Sequence, residues 1–237
     1  MEYLVMKTIA IIPARGGSKR LPGKNIMDFH GKPMIAWTIE AALESHCFDR
    51  VLVSTDDHNI ATVSQDYGAE VPFLRKEYND DISTVSLATC YALEQAEIYW
   101  SETYDFVVQL MANCPLRTAN DIKVSFSHFI NNSNVAQISC FRFGFMNPWW
   151  AAQLDELGSP RYLFPDAKSQ RSQDLPSLYC PSGAIWMISA YQLKDMRTFY
   201  VEDHKYFPLS WMSAVDIDDE EDLAMAKACY LMRSEIF

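Results

Sequence analysis

Two short stretches of this chain carry residues whose types and spacing could do chemistry. In "PARGGSKRLPGKN" an apolar run ends on two glycines and four basic residues, Arg15, Lys19, Arg20 and Lys24. Glycines after a buried strand let backbone N–H groups form an anion-binding concavity, and Lys and Arg add charge. From Arg15 to Lys32 there are five Lys or Arg and one acid, Asp28, on a chain of formal charge -11. A local basic cluster on an acidic chain points to a specific anionic ligand. In "VDIDDEED", Asp216 and Asp218 stand two apart on an extended segment, which turns both carboxylates to one side. Hard oxygen donors at that spacing suit Mg2+, an ion that bridges phosphates and polarises an attacked phosphorus. Asp219, Glu220, Glu221 and Asp222 read instead as acids that open the following helix and favour its dipole.

The basic loop differs from two familiar phosphate loops. A Walker A loop requires GxxxxGK followed by Ser or Thr, whereas five residues separate Gly17 from Gly23 here and Asn25 occupies the hydroxyl position. A GxGxxG dinucleotide loop is absent as well. A nucleoside triphosphate is therefore expected in a different cradle, and a P-loop kinase is excluded by the spacing.

The elements that must position these residues alternate. "TIAIIPA", "RVLVST" and "YDFVVQLMA" are apolar runs of the kind that form buried parallel strands. "GKPMIAWTIEAALES", "DDHNIATVSQDYG", "DISTVSLATCYALEQAEIYW" and "TANDIKVSFSHFINN" read as helices, with Pro33 in a first turn, Gly68 at an end, and Ser83 or Thr84 at a start. "NVAQISCFRF" and "SGAIWMISA" add strands, and "SAVDIDDEEDLAMAKACYLMR" reads as a short strand, an acidic corner and a closing amphipathic helix. The pattern predicts an α/β fold: a Rossmann-like open, mainly parallel sheet with helices on both faces. Ligands of such sheets sit beyond the carboxyl ends of the strands, where the basic loop lies. The chain is expected to be one domain over residues 1–237, interrupted by an irregular excursion at about 147–181.

Composition excludes several classes. The acidic balance argues against nucleic-acid binding. No apolar run is long enough to span a bilayer, so no membrane partner is expected. The N-terminal stretch lacks a basic start and is a poor secretory leader. Six scattered cysteines without a CxxC pair suit reduced thiols, and the expectation is a cytoplasmic protein.

"PARGGSKRLPGKN", "GKPMIAWTIEAA", "VLVSTDD", "YGAEVPFLR", "SQRSQDLPSLYCPSGAIWM" and "VDIDDEEDLAMA", in this order, resemble the signatures of the CMP-sialic acid synthetase family, the acylneuraminate or nonulosonate cytidylyltransferases. The resemblance runs from about residue 7 to residue 230. It implies a nucleotidyltransferase that converts CTP and a nonulosonic acid into the CMP-sugar and pyrophosphate, with Mg2+, as a homodimer. Arg15, Lys24 and Asp218 would be catalytic. Ala14, Arg15, Gly16, Gly17, Ser18, Lys19, Lys24, Asn25, Arg75 and Ser83 would bind the nucleotide, with Thr84 the alternative to Ser83 and Arg20 open between phosphate and solvent. Asp216 and Asp218 would hold metal. Arg171 and Gln173 would meet the sugar acid. The excursion, with Trp149, Trp150, Tyr162 and Phe164, would form the dimer contact and reach towards the neighbour's site. No dedicated general base stands out.

Two departures concern the sugar. The family commonly reads Leu-Gln-Pro-Thr-Ser-Pro-Leu-Arg after the third strand; here "LMANCPLR" puts Met111 in place of the Gln and Asn113 in place of the Thr. Ser172 stands where many members have an Arg. A thioether cannot replace an amide's hydrogen bonds. Met111 and Asn113 are thus the candidates for an altered sugar pocket, with sialic, legionaminic, pseudaminic or another nonulosonic acid as substrate. The competing readings are a cytidylyltransferase for the eight-carbon acid Kdo, disfavoured by the Arg-x-Gln-Asp-Leu-Pro stretch, and a non-catalytic nucleotide-binding homologue.

Overall fold

The computed structural model describes residues 6–236. Its central sheet has six strands: β1 (Thr8–Pro13), β2 (Arg50–Ser54), β3 (Phe106–Gln109), β4 (Ala136–Arg142), β5 (Tyr179–Ser189) and β6 (Lys205–Leu209). Their spatial order is β6-β4-β5-β3-β1-β2. β1 runs parallel to β2 and β3, and β4 parallel to β6, while β5 is antiparallel to both of its neighbours. The sheet is therefore mainly parallel, as the alternation of strands and helices predicts.

Six helices cover it: α1 (Met34–Ser45), α2 (His58–Asp66), α3 (Val85–Trp100), α4 (Ala119–Asn131), α5 (Ala190–Met196) and α6 (Glu220–Ile236). The pleat of β1 divides the core. Ala10 and Ile12 pack with Ile35 and Ile39 of α1, Ile60 of α2 and Phe129 of α4. Ile9 and Ile11 pack on the other face with Leu93 and Ala96 of α3 and Leu193 of α5. A strand buried on both faces has to be apolar throughout, which is why "TIAIIP" shows no alternation.

Helix starts follow from local side-chain chemistry. Asp57 caps α2 by accepting from the N–H groups of Asn59 and Ile60 at 2.7 and 3.0 Å. Thr84, rather than Ser83, caps α3. Thr118 and Asp121 form a capping box at α4. Gly68, at φ 91°, follows α2 and adopts the left-handed conformation that glycine tolerates.

A third apolar cluster ties the two chemical stretches together. Leu21 from the basic loop, Leu116 from the loop after β3, and Val215, Ile217, Ala226 and Cys229 from the C-terminal segment pack around Phe29 and Met34. Residues far apart in sequence thus meet at the carboxyl ends of β1 and β3.

Two expectations differ from the structure. No strand forms at "SAVDID". That segment crosses outside the sheet, where the N–H of Ile217 donates to the carbonyl of Asn113 at 3.0 Å. The last strand of the sheet is β6, "KYFPL", an edge strand whose Pro208 weakens any strand signal in the sequence. The segment 147–178 lies outside the sheet, which resumes with β5 at Tyr179, short of the expected end at 181. It holds a two-stranded ribbon, Ala152–Leu154 with Pro160–Tyr162, and several 3-10 turns. Within it only Ala167 is buried.

Candidate active site

A cavity of about 470 Å3 opens at the carboxyl ends of β1 and β3. It is lined by the basic loop (Arg15, Ser18, Lys19, Arg20, Leu21, Lys24, Asn25), the loop after β3 (Met111, Ala112, Asn113), the acid pair Asp216 and Asp218, and Pro13 and Asp81. Ten of the residues singled out in the sequence therefore share one cavity: Arg15, Ser18, Lys19, Arg20, Lys24, Asn25, Met111, Asn113, Asp216 and Asp218.

The basic loop is shaped from within. Asn25, buried, donates from Nδ2 to the carbonyl of Arg15 at 3.0 Å, which folds the loop back on itself. The N–H of Gly16 donates to Asp56 Oδ1 at 2.9 Å. A Cβ on Gly16 would lie 2.8 Å from Asp57 Oδ2, so this glycine is required by the close approach of the α2 cap. A Cβ on Gly17 would meet nothing within 4 Å, leaving open space on the solvent side of the loop. Ala14 is buried and continues the β1 pairing through its N–H to Ser54 O at 2.9 Å.

Each cation of the loop has a carboxylate partner. Arg15 Nη1 lies 2.6 Å from Asp81 Oδ1, and Lys19 pairs with the other oxygen of the same residue. Lys24 Nζ lies 2.8 Å from Asp218 Oδ1 and donates to Ile217 O at 2.7 Å. Arg20 Nη2 lies 2.5 Å from Asp218 Oδ2, so Arg20 faces the cavity rather than bulk solvent alone.

Asp216 and Asp218 converge as their spacing predicts, although not through a strand. The Nδ2 of Asn113 donates to Asp216 Oδ1, to Ile217 O at 3.0 Å and to Asp218 Oδ1 at 3.4 Å. Burial, aided by repulsion from Asp218, pushes the Asp216 carboxyl up to about 6. Burial acts on Asp218 too, but the Lys24 ammonium and Arg20 guanidinium outweigh it and hold that carboxyl below its ordinary value. Asp81 is also lowered, by Lys19 and Arg15. Among the described residues no three His, Cys, Asp or Glu side chains form a metal cluster. Two carboxylates beside the cations of the basic loop still fit a hard divalent ion, because Mg2+ takes one or two protein carboxylates and completes its shell with phosphate oxygens and water. Asn113 Oδ1, buried without a partner, is a further oxygen beside the pair.

The other expected site residues lie apart from the cavity lining. Arg75 is buried at the end of β2, where Nη1 donates to Ser54 O at 3.1 Å and burial lowers its pKa. Ser83 sits in a turn, with its N–H and hydroxyl both donating to Asp80. Arg171 and Gln173 are exposed on the excursion, and Arg171 makes a bidentate pair with Asp174 at 2.7 and 3.1 Å. Trp149 packs edge-on against Phe164 within the excursion. The most exposed apolar side chains in and just before the excursion are Phe145, Met146, Leu154 and Leu157, around and beyond the aromatics singled out in the sequence.

Sequence reasoning passed over Asp56 and Asp81, and noted Arg117 as part of the "PLR" stretch without assigning it a role. The pair Asp80–Asp81 follows Arg75 in an acidic run, which is a signal of sorts. Arg117 is fully buried and donates to Ala184 O at 2.7 Å and Met111 O at 3.3 Å, a role no local pattern announces.

The sequence and the fold both have known relatives. A family model described as cytidylyltransferase matches residues 9–158. The chain belongs to the cytidylyltransferase family. It is 36% identical to the pseudaminic acid cytidylyltransferase of Campylobacter jejuni, over 97% of this chain and 99% of that protein. It is 34% identical to the CMP-N,N'-diacetyllegionaminic acid synthase of Legionella pneumophila, again over 97% and 99%. Among solved structures, the CMP:2-keto-3-deoxy-manno-octonic acid synthetase complexed with CTP superposes with a TM-score of 0.70, at 18% identity, covering 97% of this chain and all of that one. That likeness bears on the fold. The enzyme class read from the sequence holds: this cytidylyltransferase has its basic loop and its acid pair around one cavity.

Proposed function

We propose that this cytidylyltransferase activates a nonulosonic acid with CTP, releasing pyrophosphate and forming the CMP-sugar. One observation supports this reading above all: Arg15, Lys19, Lys24, Asp216 and Asp218 line a single cavity with Met111 and Asn113 beside them. In the reaction a sugar hydroxyl oxygen bonds to the α-phosphorus as the bond to pyrophosphate breaks. Such transfers are carried mainly by positioning and charge neutralisation. Arg15, Lys19, Arg20 and Lys24 leave their carboxylate partners for phosphate oxygens. Asn25 keeps the loop folded while they do so. Asp216 and Asp218 would hold Mg2+, which would supply neutralisation of the negative charge on the phosphates. Met111 and Asn113 bound the end of the cavity that receives the sugar acid.

The relatives named above act on pseudaminic and legionaminic acids by their names, which favours a bacterial nonulosonic acid as the acceptor class. A homodimer belongs to the same reading. Phe145, Met146, Leu154 and Leu157 expose 87%, 71%, 69% and 92% of their surface, and an apolar group of this kind suits a second copy of the chain. Arg171 and Gln173, remote from their own cavity, would then be free to meet a neighbour's sugar.

The test is pyrophosphate release from CTP and Mg2+ with pseudaminic, legionaminic and sialic acids and Kdo. Release with one nonulosonic acid is expected. Release with Kdo alone, or with none although CTP binds, would overturn the reading.

A further inference from the structure

Strand β5 carries one large irregularity. Its pairing with β4 steps from Ile138↔Trp186 to Cys140↔Pro181, so two steps along β4 are matched by five along β5. The surplus residues, Ser182–Ile185, form a bulge. Bulges next to active sites commonly redirect backbone or side chains.

This bulge is held from both sides. On the β4 side, the Ser139 hydroxyl lies 3.1 Å from Ser182 O and 2.9 Å from Ser182 Oγ, and accepts from the N–H of Ile185 at 2.9 Å. The indole of Trp186 donates to Ser182 O at 2.6 Å. On the β3 side, the N–H of Met111 donates to Gly183 O at 3.3 Å, and Arg117 spans from Ala184 O to Met111 O. Thr38 Oγ1 adds a donor to Met111 O at 3.3 Å. The backbones at 111 and 183 cannot drift apart without breaking several of these bonds.

Gly183 stands at the closest point between them. Its φ lies outside the left-handed region, so the glycine is not required by backbone conformation. It is required by space. A Cβ there would fall 2.8 Å from Met111 Cγ and 3.4 Å from Met111 Cβ. The same Cβ would be 3.6 Å from Asp216 Oδ2, an ordinary contact that leaves the acid pair undisturbed. With both backbones pinned, the relief available is rotation of the Met111 side chain, which already lines the cavity.

We propose that Gly183 is a specificity-determining residue: the bare backbone at this bulge lets the Met111 thioether lie against β5, and any side chain at 183 turns it into the acceptor end of the cavity. This rests on the reading above, in which that end receives the sugar acid. Gly183 acts through Met111 and does not touch the nucleotide.

The test is the Gly183→Ala variant, with Gly183→Ala/Met111→Ala as its partner. Overpacking of this kind should raise KM for the acceptor acid about tenfold or more, with KM for CTP within about twofold of wild type. The double variant, which removes the clashing atoms, should match the acceptor KM of Met111→Ala alone, so that Gly183→Ala adds nothing once Met111 is gone. An unchanged acceptor KM in Gly183→Ala would overturn the proposal. So would a rise in both KM values that Met111→Ala fails to relieve. A crystal structure of Gly183→Ala decides the matter without turnover. Met111 rotated into the cavity supports the proposal, and Met111 in place with β5 displaced overturns it. A wild-type chain inactive with every nonulosonic acid would refute the proposed function, while the crystal structure would still judge Gly183.

Discussion

Replacing Asn113 by alanine tests whether this side chain organises the acid pair. In the structure its amide donates to Asp216, to Ile217 O and, more weakly, to Asp218, and it is 3% exposed. A hydrogen bond to a charged group contributes about 1.5–3 kcal/mol and one to a neutral carbonyl about 0.5–1.5 kcal/mol, so the substitution removes roughly 2–4 kcal/mol. Against this, Asn113 Oδ1 is buried without a partner. Removing that orphan returns about 1–3 kcal/mol. The net loss of stability is therefore about 1 kcal/mol, small enough for a folded enzyme. Turnover should suffer more, because the two carboxylates lose the donor that sets their separation; misplacement on this scale lowers kcat/KM on the order of 100-fold. Urea unfolding measures the first quantity, and initial rates across a Mg2+ titration measure the second. A variant with the wild-type urea midpoint and Mg2+ dependence would refute the assignment.

Three further outcomes follow from particular contacts. Asp218→Asn should cut turnover by more than about 100-fold with the fold intact by circular dichroism, since Asp218 is the acid held charged by Lys24 and Arg20; full activity would remove it from the proposed metal site. Hydrogen bonds from Arg50 hold Glu102 down at about 2, against an ordinary 4.5. A depressed carboxyl stabilises the fold above its unfolded pKa and loses that contribution as pH falls through the folded value, so Glu102→Gln should flatten the decline in urea midpoint between about pH 4.5 and 2; equal slopes for variant and wild type would refute this. Gly16→Ala places a Cβ against Asp57 and should lower stability by about 1–3 kcal/mol, whereas Gly17→Ala, facing open space, should melt like wild type; equal losses in both would show the loop to be shaped otherwise.

Much of the site was legible in the chain. The basic loop and the acid pair announce themselves by charge and glycine, because phosphate and cation chemistry demand those residue types wherever they fold. Strand and helix alternation predicted a mainly parallel sheet, since burial on both faces forces apolar runs. Other features depended on long-range contacts. The strand expected at "SAVDID" does not form because Ile217 bonds to Asn113 instead of to a strand. β6 escaped notice because an edge strand with a proline lacks the usual pattern. Asn113, read from its position in a motif as a sugar contact, lines the cavity but spends its donors on Asp216, Ile217 and Asp218.

By itself the sequence determined the class of chemistry: a strand, a glycine-rich basic loop and paired aspartates are local patterns, each written within about a dozen residues. Only the tertiary structure decided which groups meet. Asp81 neutralises Arg15 and Lys19, Arg117 ties the loop after β3 to the β5 bulge, and Gly183 gives Met111 its space. These are packing relations between segments brought together by the sheet and by the cluster around Phe29 and Met34. No local pattern encodes them, because each depends on how the separate segments fill the same volume.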